Sequence, residues 1–305
     1  VFGRERPSFK RVCAGRSGRD GLNPPRTEPP IPFALNRDVP RMNQTTRPGF
    51  LPLLLLGIAA GTLSGLFGIG GGVIIVPALA LLLHMPQRLA AGTSVAAILP
   101  AAVVGAITYG IQGNVDWIAG ALLAVGIIVG AQVGSHLLSK LPVKTLQWLF
   151  LGFLVVVIVS LWFVVPQRGD VMDLNLISGP GLVLTGFLTG VLSGLLGVGG
   201  GIIVVPVLMF FFGASDLVAK GTSLFMMIPG SLSGTFANFR RKNVDLRAAA
   251  IIGIAASAFS PVGALIAGGI APQVSNIAFS IFLVFIFAQL LWKLIQAKRQ
   301  EQQGK

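Results

Sequence analysis

From residue 50 onward the chain is a succession of apolar segments separated by short polar breaks. There are ten: about 50–67, 73–85, 89–112, 115–138 and 144–165, then about 178–196, 202–213, 217–239, 246–269 and 273–296. A helix that crosses some 30 Å of hydrocarbon needs ~20 residues. The first, third, fourth and fifth segments of each set reach that length. The second of each set has only about 12–13 residues. It also follows a run of glycines, which are poor helix formers, so the spacing predicts half of a broken helix or a re-entrant hairpin. Composition agrees: 53% of the 305 residues are hydrophobic and 11% charged, against about 25% charged in an ordinary soluble domain. A mean hydropathy of +0.82 leaves too little polar surface for a water-facing molecule. The fold class expected is all-α and polytopic in a membrane. A soluble enzyme, a secreted disulfide scaffold and a disordered chain are excluded. The single cysteine, Cys13, allows neither an internal disulfide nor a multi-cysteine metal site.

The net charge of +13 does not indicate nucleic acid, because the basic residues form no stripe interleaved with aromatics. They lie in an N-terminal tail and in loops between apolar runs, the positive-inside pattern. Residues 1–48 carry eight of the 19 prolines, and nine of the 23 basic residues precede Met42. Without apolar periodicity this stretch reads as a disordered basic tail. Met42 opens a short polar leader, so it is the expected true start, with a genuine basic tail on the membrane surface as the alternative. A cleaved signal peptide fits less well, since cleavage would remove half of a matched pair of segments.

The pair is matched because the chain repeats itself at an offset of 129 residues. Gly61-Thr-Leu-Ser-Gly-Leu-Phe-Gly-Ile-Gly-Gly-Gly-Val-Ile-Ile-Val-Pro77 falls on Gly190-Val-Leu-Ser-Gly-Leu-Leu-Gly-Val-Gly-Gly-Gly-Ile-Ile-Val-Val-Pro206. Gly92-Thr93-Ser94 falls on Gly221-Thr222-Ser223, Pro100 on Pro229, and Asn114-Val115-Asp116 on Asn243-Val244-Asp245. The expected organisation is a tail (1–48), a first transmembrane repeat (49–166), an external linker (167–177), a second repeat (178–297) and a cytoplasmic tail (298–305). If the first two segments of each half go in and out, the halves are inverted. With both termini cytoplasmic, 12 basic residues then lie inside and two, Arg168 and Lys220, outside. Parallel halves give 10 against 4. The rule favours inverted halves, an architecture of transporters with a site near the midplane.

Gly68, Gly70, Gly71, Gly72 and their mates Gly197, Gly199, Gly200, Gly201 do not form a dinucleotide fingerprint, since Val73 stands where a third glycine belongs and no acidic partner follows. Two readings remain. The glycines serve close helix packing, or they break the backbone at membrane depth, where irregular backbone is tolerated only when buried or lining a cavity. In the second case consecutive N–H groups and the start of the next helix offer an anion site without a formal charge. The hydroxyls of Thr93, Ser94, Thr222 and Ser223 either donate to that anion or bond their own helix backbone. Lys220 attracts an anion or is a solvated loop lysine. Asp116 and Asp245 stand where helix N-caps are expected. His84 and His136 lie near segment ends, and Gln132, Tyr109, Asn238 and Gln289 are candidate intramembrane polar contacts. Apart from Asp116, at the very start of the 115–138 segment, no Asp or Glu falls inside any apolar segment as drawn, and the proton relays and cation pathways of membrane proteins use such carboxylates. No metal cluster or Ser/His/Asp set stands out.

The doubled Gly-Leu-x-Gly-x-Gly-Gly-Gly-x-x-x-x-Pro motif followed by Gly-Thr-Ser resembles the sulfite exporter TauE/SafE family of bacterial membrane proteins, over about residues 50–297. The motif residues are Gly65, Gly68, Gly70, Gly71, Gly72, Pro77, Gly92, Thr93 and Ser94, with Gly194, Gly197, Gly199, Gly200, Gly201, Pro206, Gly221, Thr222 and Ser223 as mates. The resemblance implies a multi-pass inner-membrane protein of about eight spans, linked to export of sulfite, organosulfonates or related sulfur-containing or organic anions. The expected partners are the lipid bilayer and a small anion, with self-association open, no nucleic acid, no cofactor and no enzymatic activity. An uptake permease for similar anions and a non-transporting scaffold are the alternatives.

Overall fold

The computed structural model describes residues 49–142, scattered helical positions between 145 and 159, and residues 178–303. The expected tail (1–48), the linker (167–177) and most of the fifth apolar segment lie outside the described residues. All regular structure among the described residues is helical. In chain order the helices are α1 (Phe50–Phe67), α2 (Gly72–Leu81), α3 (Gln87–Ile111), α4 (Trp117–Lys140), α5 (Ser178–Leu196), α6 (Gly201–Phe211), α7 (Asp216–Arg240), α8 (Leu246–Gly269) and α9 (Pro272–Gln303). Their bounds follow the apolar segments to within a few residues. The last helix is longer than its segment and continues to Gln303, into the stretch expected as a tail.

Six of these helices are long and apolar enough to cross a membrane: α1, α3, α4, α5, α8 and α9. The protein is a multi-pass membrane protein. α7 equals its mate α3 in length but is more polar, carrying Asp216, Lys220 and Arg240. α2 and α6 have 10 and 11 residues, about 15–17 Å at 1.5 Å per residue, roughly half a span.

Helix starts follow local chemistry. Asp116 Oδ1 accepts from the N–H of Ile118 (3.1 Å) and Ala119 (2.9 Å), and Asp245 Oδ1 from Arg247 (3.0 Å) and Ala248 (3.1 Å). Each aspartate thus satisfies two of the donors that an α-helix leaves open at its start, as expected at both positions.

The two halves pack through each other. α1 lies along α8, and α5, the mate of α1, lies along α4, the mate of α8. Small residues make both contacts possible. A Cβ on Gly57 would stand 2.6 Å from Ala255 Cβ, and Gly61 and Gly65 face the backbone of Ala256 and Ser260 just as closely. In the other pair Gly190 and Gly194 meet Ile127 O and Ala131 O, at 2.7 and 2.6 Å from where a Cβ would be. Both pairs run parallel, since contacts advance together along the two chains. Between lipid-soluble helices no hydrophobic force drives association, so close backbone approach is what holds them. α3 also packs on α7, and here the direction is reversed. Gly105 approaches Leu224 while Gly234 approaches Val95.

Two facing glycine breaks as the candidate functional site

α1 ends at Gly68 in the left-handed conformation (φ +69°), with its N–H on Ser64 O at 2.8 Å. Gly70 and Gly71 follow at φ +72° each, and Gly71 starts α2. The second break repeats this with Gly197 (φ +73°, N–H on Ser193 O at 2.7 Å), Gly199 (φ +88°) and Gly200 (φ +87°). Other L residues rarely occupy this region, so the six positions require glycine for the path of the backbone itself.

The two breaks touch. A Cβ on Gly72 would lie 2.6 Å from Val198 O and 2.8 Å from Gly197 O, and one on Gly201 would lie 2.7 Å from Ile69 Cα. Ile98 and Met227, equivalent residues of α3 and α7, close the sides. They stand 3.0 Å (Ile98 Cγ2) and 2.7 Å (Met227 Sδ) from a Cβ on Gly70. Every residue from Gly68 to Val73 and from Gly197 to Ile202 is buried.

The Gly-Thr-Ser pairs hold this arrangement in two directions. Ser94 Oγ donates to Gly197 O at 2.8 Å, and Ser223 Oγ donates to Gly68 O at 2.5 Å and to Lys220 O at 2.9 Å. Each serine therefore ties down the break of the opposite half. Thr93 Oγ1 accepts from the N–H of Asp245, and Thr222 Oγ1 from that of Asp116, both at 2.9 Å. The threonines hold the Asn-Val-Asp loops. All four hydroxyl residues are fully buried. The structure brings the glycines, Ser94 and Ser223 together and turns Thr93 and Thr222 one step away. In this conformation the serine protons are engaged by carbonyls.

The backbone N–H groups of the breaks are differently placed. Among the described residues, no acceptor is found for those of Gly70, Gly71, Gly72 and Val73, nor for those of Gly199, Gly200, Gly201 and Ile202. Buried N–H groups are rarely left so. Each set sits at the start of a short helix, whose dipole adds partial positive charge.

Two features depart from the sequence expectation. Lys220 is not a loop lysine. It lies in the second turn of α7, is 4% exposed, and donates to Asp216 Oδ2 at 2.9 Å. Asp216, left just outside the apolar segments, is the first residue of α7 and is 2% exposed, so the described bundle does bury a carboxylate. The four-residue spacing of an acid and a base was the available signal. Tyr109 is fully buried and its hydroxyl donates to Gly65 O at 2.7 Å. Asn238 donates to Gly234 O at 2.9 Å, while Gln132 and Gln289 face outward. His84 is exposed, and His136, also exposed, lies 3.3 Å from Arg241 Nη2. No group of three or more His, Cys, Asp or Glu able to hold a metal occurs among the described residues.

The family model for the sulfite exporter TauE/SafE proteins matches residues 22–161 and 182–305. It begins well before residue 50, so the likeness reaches further back than the motifs alone indicate. A "Probable membrane transporter protein YunE" of Bacillus subtilis is 26% identical over 220 residues, covering 64% of this chain and 80% of the relative. A second from B. subtilis, YdhB, is 28% identical over 185 residues, covering 60% and 76%. A "Probable membrane transporter protein" of Haemophilus influenzae is 33% identical over 190 residues, covering 60% and 71%. No solved structure matches. The chain is therefore a membrane transporter that belongs to the sulfite exporter TauE/SafE family.

Proposed function

We propose that the protein carries small anions, most simply sulfite, organosulfonates or related sulfur-containing or organic anions, outward across the bacterial inner membrane. The observation that carries this reading is the pair of buried N–H runs, Gly70–Val73 and Gly199–Ile202, facing each other where the halves meet. Successive N–H groups in such a path form an anion-binding concavity, and two short helices add their positive ends. The anion lies between the breaks, held by the N–H groups of Gly70, Gly71, Gly72, Gly199, Gly200 and Gly201. In the loaded state the hydroxyls of Thr93, Ser94, Thr222 and Ser223 turn from their present partners to the anion.

The halves are inverted in this reading, with both termini cytoplasmic. Two observations support it. α3 and α7, equivalent helices, meet antiparallel, so the operation that relates them turns one over relative to the other. With the buried Lys220 set aside, the distribution of the remaining Lys and Arg from Arg47 onward, 12 against one (Arg168), agrees with the positive-inside rule. Rocking of one half against the other then exposes the breaks to each side in turn.

An inside-negative potential supplies about 2.3 kcal/mol per charge per 100 mV, so a dianion leaves with roughly 4–5 kcal/mol of drive at that potential and no coupling ion. Proteoliposomes loaded with sulfite, under an imposed potential, test this. The expected result is efflux that rises with inside-negative potential. Efflux indifferent to potential and abolished without a pH gradient overturns the uniport mechanism. No flux of any tested anion, in either direction, overturns the anion reading itself.

A further inference from the structure

The helix that precedes each break also packs against it, and here the two halves differ. Thr189 of α5 lies against the second break, its Cγ2 2.6 Å from where a Cβ on Gly200 would stand. Ala60, the equivalent residue of α1, lies against Gly71 in the same way, its Cβ 3.0 Å from the corresponding position. The other side chains nearest Gly200 are apolar, Ile127 Cδ1 at 3.6 Å and Met226 Cε at 3.8 Å. Thr189 is fully buried, and among the described residues its hydroxyl meets no partner.

A threonine inside a helix commonly bonds a carbonyl one turn back. Thr62 in α1 and Thr108 in α3 do so, to Ile58 O at 3.0 Å and to Val104 O at 2.8 Å. Thr189 forgoes that bond at the place where the N–H groups of Gly199, Gly200, Gly201 and Ile202 also meet no acceptor among the described residues. Buried polar groups left in this state are costly and few. The repeat provides an internal control and shows that the fold does not call for this one. With alanine at position 60 the first break follows the same left-handed path, φ +72° at Gly71 against +87° at Gly200. A hydroxyl set in an apolar wall, beside a helix start that carries partial positive charge, is equipped to donate to an oxyanion.

We propose that Thr189 is a binding residue of the transport site, its hydroxyl donating to an oxygen of the anion held at the second break. This rests on the anion-transport reading and deepens it, because it makes the two breaks unequal. The second offers a neutral side-chain donor from its preceding helix, and the first, with Ala60 there, does not. The hydroxyl is kept from the carbonyls of its own helix in the empty protein and finds its acceptor in the ligand. Its orphaned state is therefore a cost to the empty protein that the anion removes.

The test uses the full-length protein, with sulfite efflux from proteoliposomes and thermal melting in detergent with and without sodium sulfite. T189V keeps the shape and β-branching and removes only the hydroxyl. It should raise KM for sulfite about tenfold or more, the worth of a hydrogen bond to a charged group, with the maximal rate within about twofold, the signature of lost ground-state binding. T189S keeps the hydroxyl and should hold KM within about threefold. Without sulfite T189V should melt at or above the wild-type midpoint, since no existing hydrogen bond is lost. The rise in midpoint that sulfite gives the wild type should shrink in T189V and persist in T189S. An unchanged KM in T189V overturns the proposal, as does an equal rise in KM in T189S, which would assign the effect to shape. T189V that fails to fold, or melts below the wild type without sulfite, also overturns it, because the hydroxyl then serves the structure. Each of these failures with wild-type efflux intact leaves the transport reading standing. Wild-type protein that neither moves sulfite nor is stabilised by it removes both.

Discussion

The hydroxyl of Ser94 donates to the carbonyl of Gly197 at 2.8 Å, and its repeat mate Ser223 makes the same bond to Gly68. Each serine spans the junction between halves and satisfies a buried carbonyl of the other half's break. Replacing either with alanine leaves that carbonyl without its partner, at a cost of about 1–3 kcal/mol. S94A and S223A should each lower the thermal midpoint in detergent by similar amounts. A shift in one and none in the other contradicts the reciprocal arrangement.

Gly71 and Gly200 hold φ of +72° and +87°, where a β-branched residue is strained whatever the space. A Cβ on Gly71 would also stand 2.7 Å from Ala60 O, and one on Gly200 2.6 Å from Thr189 Cγ2. G71V and G200V should abolish sulfite flux in proteoliposomes while the protein still reaches the membrane. Wild-type flux in both variants removes the breaks from the transport site.

The α1–α8 and α4–α5 contacts depend on the absence of a side chain at Gly61 and Gly190. A leucine at either position forces the helix backbones apart, and overpacking of this kind costs about 1–3 kcal/mol or more. G61L and G190L should both reduce the yield of folded protein and its thermal midpoint. Leucine at Gly113, which has open space around it but positive φ, separates the two effects. It should show only the smaller cost of backbone strain.

Asp116 and Asp245 each cap a long helix with two hydrogen bonds. Loss of such a cap costs about 1 kcal/mol. D116A and D245A should each shift the melting midpoint modestly. D116N and D245N should nearly restore it, because asparagine caps as well as aspartate.

Tyr109 and Asn238 show what sequence reading reaches and where it stops. Both were recognisable as polar residues in apolar segments. Their partners, Gly65 O and Gly234 O, were not, since one bond spans 44 residues and the other returns to the residue's own helix four positions back. Asp116 and Asp245 were legible completely, because an N-cap is decided within one turn of chain. Lys220 was misplaced for the opposite reason. A lysine next to a glycine near a segment edge looks solvated until α7 is seen to start four residues earlier and α9 to cover it.

Hydropathy and the 129-residue repeat determined by themselves that the chain is a helical membrane protein of two related halves. They also located the glycine breaks, because both features depend on residue type and spacing alone. Tertiary structure alone decided that α1 crosses to α8 and α5 to α4, and that the breaks face one another. It also decided that the serines are spent on carbonyls while, among the described residues, two runs of N–H groups meet no acceptor. Those outcomes depend on backbone approaches of a few ångströms between segments more than a hundred residues apart. Periodicity along one helix carries no record of which helix will be its neighbour.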